Sequence, residues 1–461
     1  MSNLVSDVAV IGAGVVGTAV ARELARRGYS VNIIEAGNDV GTGTSKANTA
    51  ILHTGFDATP NTNESRLVRQ GHDLLLEYAT VTGIAIEKTN AMMVAWNGEQ
   101  LSQLNAVAEK SLQNGHRDFS RINASEVARL EPHLADNALG GLLISGEYII
   151  DPWSVPIAFA RDASSFGAVF RFKSEVLSID VGNEVTTINT SSGLVKTHFV
   201  VNAAGLAGAK IDEMFTGNRF TVTPRRGELI VFDKFARKLV SHIILPVPQK
   251  HTKGVLLTPT VFGNLMVGPT ADDVEDPTAT GSTQDGVARV LAAAHRIIPA
   301  LRNEEITAVY AGLRAATEES DYRLFTEQQC RYICLGGIRS TGLSASMALA
   351  NEACQRLIDC GLQIPAHSEK VSTLKMPPLG EMQHRPADEG QACVCMCERV
   401  TATEITNACN EPIGAINLDG VRRRTRALNG KCQGFYCLAN VCELVSQANA
   451  ISVDDLLSGK S

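Results

Sequence analysis

The stretch from Asp7 to Glu35 constrains the fold more than any other part of the chain. It reads DVAVIGAGVVGTAVARELARRGYSVNIIE, so a short apolar run enters the pattern Gly12-x-Gly14-x-x-Gly17. Apolar residues then recur at helical spacing, and a second apolar run ends in the acid. The order of strand, glycine turn, helix, strand and acid predicts a dinucleotide-binding βαβ unit.

Each part of this unit has a role in holding a dinucleotide. Gly12 permits the sharp turn, Gly14 lets a pyrophosphate approach the backbone, and Gly17 lets the helix lie close to the sheet. The helix N-terminus, near Val15, offers free amides to the diphosphate. Glu35 is placed to accept hydrogen bonds from ribose hydroxyls. An acid there disfavours the 2'-phosphate of NADP, so FAD or NAD is expected.

The length and charge of the chain limit its domain number and its partners. A chain of 461 residues is long for one core and predicts two or three domains. The net charge of -7 does not favour a nucleic-acid partner. No apolar run is long enough to span a bilayer, so we expect a cytoplasmic protein that can still associate peripherally with a membrane.

Three other stretches have the composition of cofactor contacts. Small and polar residues at 37–48 can wrap a phosphate closely. Strand-rich residues 168–201 lead into a small-residue turn, which is either a second backbone approach to the cofactor or a simple strand-helix junction. An apolar strand at 331–337 ends in two glycines, and a small-residue helix follows at 340–357.

The remaining pattern is typical of a mixed α/β protein. We expect helices at 64–79, 99–114, 125–134, 155–166 and 288–297, strands at 91–96 and 306–313, and a strand-rich stretch at 220–268.

The cysteines are concentrated near the C-terminus. Seven of the eleven lie after residue 390, and none precedes Cys330. In a reducing compartment such a cluster indicates metal binding more than disulfides. Cys395-x-Cys397 and Cys432-x4-Cys437 are two close pairs that together can supply four thiolates.

Two kinds of metal centre compete for these thiolates. Structural zinc sites favour Cys-x2-4-Cys spacing, which the first pair does not fit and the second only just reaches. A two-iron two-sulfur cluster also takes four thiolates and is favoured over zinc or no metal. Basic residues nearby can offset its negative charge, or else form a solvated helix face; they are Arg422, Arg423, Arg424, Arg426 and Lys431. Cys393 and Cys442 are alternative ligands, and Cys409 is expected to be a spare thiol.

Several segments carry a family resemblance. GAGVVGTAVARELARRG, ANTAILHTG, VVNAAG, YAGLR and GGIRSTGLSAS, within about residues 5–360, resemble the FAD-dependent oxidoreductases of the glycerol-3-phosphate dehydrogenase and D-amino-acid oxidase superfamily. VCMCERVTATEI and LDGVRRRTRALNGKCQGFYC resemble the bacterioferritin-associated-ferredoxin-like module that ends the catalytic subunits of anaerobic glycerol-3-phosphate dehydrogenases. The resemblance implies FAD, and a two-iron two-sulfur cluster on Cys395, Cys397, Cys432 and Cys437.

The resemblance also implies a fold and a division into domains. We expect a Rossmann-like FAD-binding domain, an interleaved antiparallel-sheet substrate domain and a small helical Cys-rich C-terminal module, together a mixed α/β fold. The implied boundaries are 1–362 for the oxidoreductase (FAD-binding at about 1–90, 145–220 and 310–362, substrate domain at about 91–144 and 221–309), 363–392 for a linker and 393–455 for the iron–sulfur domain. The candidate cofactor contacts are Gly12, Gly14, Val16, Gly17, Glu35, Ser45, Asn48, Val176, Ala204, Gly205, Gly336, Gly337, Gly342 and Leu343.

Oxidation of an alcohol by a flavin needs a base for the hydroxyl proton and groups that position the donor carbon. His53 follows the cofactor-wrapping loop and by resemblance lies beside the flavin ring, so it is the predicted base or substrate contact. A hydrogen bond to flavin or backbone is its alternative role. Arginine forks bind carboxylates and phosphates bidentately. By resemblance Arg314 is the best anion clamp, followed by Arg226 and Arg339, with a surface position as the alternative for each.

The predicted function is an FAD and iron–sulfur dehydrogenase of a small anionic 2-hydroxy substrate. Glycerol 3-phosphate is the first candidate. L-2-hydroxyglutarate is the next, because relatives that oxidise it have a segment similar to residues 48–53. A cluster carries one electron at a time, so electrons are expected to leave for an acceptor protein or a quinone pathway, with slow direct reaction with oxygen. An amine or amino-acid dehydrogenase and a non-catalytic redox-sensing flavoprotein are the alternatives.

Overall fold

The computed structural model describes residues 5–248, 254–365, 370–380 and 392–458, and the elements given below lie within them. The strands are β1 (Ser6–Ile11), β2 (Val31–Ile34), β3 (Ile51–Leu52), β4 (Ile86–Lys88), β5 (Ala91–Ala95), β6 (Phe119–Asn123), β7 (Gly140–Ile144), β8 (Tyr148–Ile150), β9 (Val169–Arg171), β10 (Val176–Val181), β11 (Thr186–Thr190), β12 (Gly193–Asn202), β13 (Thr223–Phe232), β14 (Ile243–Pro246), β15 (Leu256–Pro259), β16 (Leu265–Gly268), β17 (Asp272–Asp273), β18 (Ile306–Ala316), β19 (Arg323–Glu327), β20 (Tyr332–Gly336), β21 (Cys393–Cys395) and β22 (Val400–Thr401). The α-helices are α1 (Val15–Arg26), α2 (Asn63–Thr82), α3 (Gly98–Gln113), α4 (Ala124–Leu130), α5 (Ser154–Ser165), α6 (Gly208–Thr216), α7 (Gln284–Ile297), α8 (Gly342–Asp359), α9 (Ala402–Asn410), α10 (Leu418–Thr425), α11 (Leu438–Asn449) and α12 (Val453–Leu457).

The first sheet contains the predicted βαβ unit. Its parallel core has the strand order β20-β12-β1-β2-β9, with β11 and β10 continuing antiparallel beyond β12 and β19 pairing with β20. Helices α1, α2, α5 and α8 bury one face of this sheet in a large apolar cluster, and α6 packs on the other face. The sequence pattern did not predict α6, which follows the small-residue turn after β12.

The second sheet is mostly antiparallel. Its order is β17-β13-β16-β15-β14-β5-β7-β6, with β18 beside β13. The pairing of β13 with β18 extends from Thr223 opposite Ala316 to Phe232 opposite Ile306, and it sets Arg225 directly opposite Arg314. Two predicted arginine-bearing strands are therefore neighbours, although about ninety residues separate them in sequence.

Strands β3, β8 and β4 form a separate three-stranded antiparallel sheet. Along the chain, these strands lie between strands of the two larger sheets. Leu52 lies opposite Tyr148 at the end of the short β3–β8 pair. The next residues outward are His53 on one strand and Glu147 on the other. The register of this small sheet therefore places His53 beside Glu147.

The C-terminal residues form a small helical module. Helices α9 to α12 surround an apolar cluster that contains Cys395, Val421 and Val441. Part of the expected linker, 366–369 and 381–391, lies outside the described residues. The described segment 370–380 lies against the first domain, where the Ser372 hydroxyl donates to Asp162 at 2.6 Å. Within the described ranges, no helix is long and apolar enough to cross a bilayer.

Candidate active site

A cavity of about 1210 Å³ is lined by residues of both large sheets. This volume exceeds the roughly 300–1,000 Å³ of common small-molecule sites, so it suits a dinucleotide together with a small substrate. Most of the predicted site residues line it: Gly12, Gly14, Val16, Glu35, Ser45, Asn48, His53, Ala204, Gly205, Arg314, Gly337, Arg339, Gly342 and Leu343.

Four of the predicted cofactor and catalytic residues are not among those that line the cavity: Gly17, Val176, Arg226 and Gly336. A Cβ on Gly17 would lie 1.9 Å from the Gly12 carbonyl oxygen, which is the close helix-to-strand contact expected of that glycine. Val176 is buried in the apolar cluster on the α6 side of the first sheet. A Cβ on Gly336 would lie 2.8 Å from the Phe220 ring, so this glycine also serves packing.

The glycine turn has the backbone that a dinucleotide requires. Gly12 has a φ of +99°, and a Cβ there would lie 2.6 Å from the Ala203 carbonyl oxygen. The first amide of α1, that of Val15, donates to the Ser45 hydroxyl at 2.9 Å. The helix N-terminus is thus at the cavity, where its dipole favours phosphate.

The Glu35 carboxylate is held by backbone amides at the edge of this turn. Its Oε2 accepts from the Ala13 amide at 2.7 Å, and its Oε1 accepts from the Gly37 amide at 2.7 Å. Each carboxylate oxygen can accept more than one hydrogen bond, so the group can still accept from ribose hydroxyls. The residues present therefore fit an adenine dinucleotide.

His53, which is partly exposed, pairs with the fully buried Glu147. The His53 Nδ1 lies 3.0 Å from the Glu147 Oε2, while the other carboxylate oxygen accepts from the Thr54 amide at 2.8 Å and from the Thr54 hydroxyl at 2.7 Å. Burial alone would raise the pKa of Glu147, but His53 and the Thr54 donors hold it below its ordinary value. A carboxylate on Nδ1 selects the tautomer in which Nε2 carries the lone pair.

Sequence reasoning did not find Glu147. It is fully buried, yet it stands 94 residues from its partner and belongs to no motif. The only signal in the sequence is a carboxylate directly before the apolar strand β8, where charge is unexpected.

Four arginines line the cavity: Arg225, Arg289, Arg314 and Arg339. Arg289 pairs with Asp272 at 2.6 Å. Arg225 pairs with Asp273 at 2.6 Å and Arg339 with Glu64 at 3.4 Å, whereas Arg314 forms no ion pair with any described residue. Burial, with smaller contributions from the charges of Arg225 and Arg339, lowers the pKa of Arg314 to about 10. Of these four arginines, Arg314 is therefore the one without a carboxylate partner among the described residues, which favours an anion beside it.

The strand β13 presents Arg225 and Arg226 to opposite faces. Arg225, Gly227 and Leu229 line the cavity in the period-two pattern of a strand, and Arg226 does not. A Cβ on Gly227 would lie 2.3 Å from Arg314 Nη2, so this glycine leaves the space that the guanidinium occupies.

The four predicted metal ligands lie together in the C-terminal module as two contacting pairs. The thiol of Cys397 meets that of Cys432, and the thiol of Cys437 meets that of Cys395. Backbone amides of the following turn, led by that of Tyr436, lower the pKa of Cys432. In the part of the chain that is described, no group of three or more His, Cys, Asp or Glu side chains is arranged as a metal site.

Three of the five basic residues beside these thiols are buried and do not form a solvated helix face. Arg423, Arg424 and Arg426 are each at most 5% exposed, so that alternative is wrong for them. Arg423 and Arg424 both pair with Asp39. Arg426 pairs with Glu398 at 2.9 Å.

Comparison with known proteins gives the same fold and cofactor. The family model described as "DAO: FAD dependent oxidoreductase" matches residues 7–356. A glycerol 3-phosphate dehydrogenase from Caloramator mitchellensis is 33% identical over 464 residues, which cover 98% of this chain and 96% of that protein. A mitochondrial L-2-hydroxyglutarate dehydrogenase from Bos taurus is 29% identical over 284 residues, 58% of this chain and 60% of that protein.

A solved structure extends this comparison. Dithionite-reduced L-alpha-glycerophosphate oxidase from Mycoplasma pneumoniae, with FAD bound, superposes with a TM-score of 0.74 at 26% identity, covering 79% of this chain and 98% of that chain. The expected FAD-binding α/β fold is thereby confirmed, and FAD is supported as the cofactor. The chain belongs to the DAO family of FAD dependent oxidoreductases.

Proposed function

We propose that the protein is a dehydrogenase of a small anionic 2-hydroxy compound, with glycerol 3-phosphate as the preferred substrate. One observation carries this proposal. His53, which is held by the buried carboxylate of Glu147, lines the same cavity as the dinucleotide turn and as Arg314, which has no ion-pair partner among the described residues. The two partners of alcohol oxidation, a proton acceptor and an anion clamp, thus stand within reach of one substrate.

The residues divide the chemistry between them. FAD, when bound, supplies the acceptor for the hydride that leaves the hydroxyl-bearing carbon. His53 Nε2 takes the hydroxyl proton, and Glu147 stabilises the resulting imidazolium through Nδ1–H. Arg314 binds the phosphate, and Arg225 opposite it on β13 adds to the positive field. The donor carbon is thereby held in one orientation.

L-2-hydroxyglutarate is the second candidate, because it is also an anion with a 2-hydroxyl group and four arginines line the cavity. Anaerobic mixing of the purified holoenzyme with glycerol 3-phosphate, L-2-hydroxyglutarate and a panel of D-amino acids, followed through the flavin absorbance, separates the candidates. We expect glycerol 3-phosphate to bleach the flavin fastest. Bleaching by an amino acid alone would refute the proposal and favour the amine dehydrogenase alternative.

We further propose a two-iron two-sulfur cluster on Cys395, Cys397, Cys432 and Cys437. The pairwise thiol contacts and the amide donors around Cys432 support it, since cluster sulfurs are commonly stabilised by such amides. A Cβ on Gly430 would lie 2.2 Å from the Cys397 Cβ, so the turn can approach that cysteine only as glycine. The relative from Caloramator mitchellensis also matches over nearly the whole chain.

The cluster proposal has a direct chemical test. Iron and acid-labile sulfide are measured in protein purified without air, for wild type, Cys432→Ser and Cys442→Ser. Cys442 is a matched control because it is a buried thiol of the same module. We expect wild type and Cys442→Ser to hold equal iron and sulfide, and Cys432→Ser to lose them. Zinc, or no metal, in the wild type would refute the cluster.

We propose that electrons then pass from flavin through the cluster to an acceptor protein or a quinone pathway. Three large side chains beside the thiols are exposed by more than 70%: Met396, Phe435 and Tyr436. An exposed apolar group of this size is typical of contact with a partner. We expect the substrate-reduced enzyme to react slowly with air. Rapid peroxide formation that is the same in wild type and Cys432→Ser would refute this route.

A further inference from the structure

The loop that follows β2 and Glu35 is held on its outer side by the C-terminal module. We name residues 39–46 the cofactor loop, because Thr42 to Ser45 line the FAD cavity. We propose that Arg423 and Arg424 act as a latch on Asp39, so that FAD retention depends on the docked module. The proposal concerns FAD binding and is independent of substrate and metal.

The latch is a buried cluster of ion pairs with several short hydrogen bonds. Arg424 grips Asp39 bidentately, with 2.7 Å from Nη1 to Oδ2 and 2.7 Å from Nη2 to Oδ1. Arg423 bonds the same carboxylate and also donates to the Val40 carbonyl at 2.7 Å. Asp39 and Val40 are at most 2% exposed. Burial would raise the pKa of Asp39, but the two guanidinium groups hold it below its ordinary value.

The fit is tight on the module side as well. A Cβ on Gly420 would lie 3.1 Å from Asp39 Oδ2, so α10 reaches the carboxylate most easily with a glycine at this position. Arg423 also pairs with Asp419 at 3.2 Å, so the two guanidinium groups are matched by two carboxylates, of which Asp39 is the buried one. Loss of either partner would leave an uncompensated buried charge, which is the costly way to break such a pair.

The inner side of the loop is continuous with the cofactor cradle. The Gly41 amide donates to the Ala13 carbonyl at 2.9 Å, next to the glycine turn. The Thr44 hydroxyl donates to the Leu313 carbonyl at 2.7 Å, beside Arg314. A displacement of Asp39 would therefore also move Thr42 to Ser45, which line the cavity only a few residues further along the chain.

A second contact holds the far end of the loop. The Lys46 carbonyl accepts from the Trp153 indole at 2.9 Å, and Trp153 stacks on Phe262 with centroids 6.1 Å apart. The guanidinium of Arg426 lies 3.7 Å from the Phe262 ring centroid. The module thus contacts the near end of the cofactor loop directly, at Asp39, and its far end through Phe262 and Trp153.

Full-length apoprotein is titrated with FAD, and the quenching of FAD fluorescence gives the Kd. The variants are Asp39→Asn, the double variant R423Q/R424Q, and the control Glu411→Gln. The control breaks another body-to-module ion pair, Arg161 with Glu411 at 2.9 Å, that does not touch the loop. We expect FAD to bind at least about tenfold more weakly to the first two, and unchanged to the control.

A second measurement does not involve FAD. Trypsin cleavage after Lys46 in the apoprotein reports opening of the loop, and thermal unfolding of the same samples reports global stability. We expect faster cleavage in Asp39→Asn than in Glu411→Gln at equal unfolding temperature. An FAD Kd of Asp39→Asn within about twofold of wild type, or equal weakening by Glu411→Gln, would overturn the latch. Absence of FAD binding by wild type would instead contradict the family assignment.

Discussion

Replacement of Glu147 by glutamine tests the role of the buried carboxylate with little change of volume. In the wild type, Oε2 accepts from His53 Nδ1 and Oε1 accepts from the Thr54 amide. The amide of Thr54 can only donate, so the glutamine oxygen must face it. The glutamine NH₂ then faces His53 Nδ1, which favours the tautomer protonated on Nε2. That tautomer cannot take a proton from the substrate hydroxyl.

The size of the effect follows from the loss of a general base. A positioned base contributes about 10²- to 10⁴-fold, so we expect the rate of flavin reduction by substrate to fall by at least about 10²-fold. The Kd of glycerol 3-phosphate should change little, because Arg314 and its neighbours are untouched. FAD content should also be unchanged, since Glu147 is not among the residues that line the cavity.

The assay is single-turnover flavin reduction in a stopped-flow instrument without air, over a range of substrate concentrations. Asp73→Asn is the matched control, because Asp73 also bonds a histidine Nδ1, that of His72 at 2.9 Å, but is not a cavity residue. We expect the control to behave as wild type. A flavin reduction rate in FAD-loaded Glu147→Gln within about threefold of wild type would refute the tautomer argument.

Three further outcomes are expected. Arg314→Gln should raise the Kd of glycerol 3-phosphate at least about tenfold in flavin-bleaching titrations, and Arg226→Gln should raise it less. The reverse order would contradict the finding that Arg226 points away from the cavity. Gly12→Ala should be purified without FAD, because its Cβ would lie 2.6 Å from a backbone oxygen and its φ is +99°; yellow protein with full FAD content would be the contrary result. Glu147 has a pKa below its ordinary 4.5, so it stabilises the fold above that pH and loses this effect as the pH falls through its folded value. The stability difference between wild type and Glu147→Gln in urea should therefore shrink from pH 6 to pH 3, and a constant difference would disprove the linkage.

The dinucleotide turn could be predicted because contiguous residues determine it. Gly12 and Gly17 act through backbone geometry that is set within one βαβ unit, and the structure gives them the turn and the close helix contact that were expected. Glu35 lies at the edge of the same turn, where its carboxylate accepts from the Ala13 amide. Thr401 and Glu404 likewise form a capping box, which their spacing alone implies.

The partner of His53 could not be predicted, because a tertiary pairing creates it. Only the register of β3 against β8 brings Glu147 to the histidine. Arg226 was predicted as an anion contact, whereas Arg225 is the residue of this strand that lines the cavity, and the reason is related. Neighbouring residues of a strand point to opposite faces, so a shift of one residue exchanges the faces. Because β13 has apolar residues on both faces, its sequence does not indicate which face lines the cavity.

The charges around the cavity connect the anion clamp to the base. Arg314 and its two neighbours create a positive field, and a positive field opposes proton acceptance by His53. Glu147 offsets part of this field at the ring itself. A substrate phosphate on Arg314 would neutralise more of it, because a phosphate brings up to two negative charges. Binding of the anion would therefore strengthen the base in the same step that positions the hydroxyl. By this reasoning a neutral analogue such as glycerol should not only bind more weakly but also reduce the flavin more slowly once it is bound. It leaves the positive field of the arginines uncompensated while His53 must accept the proton.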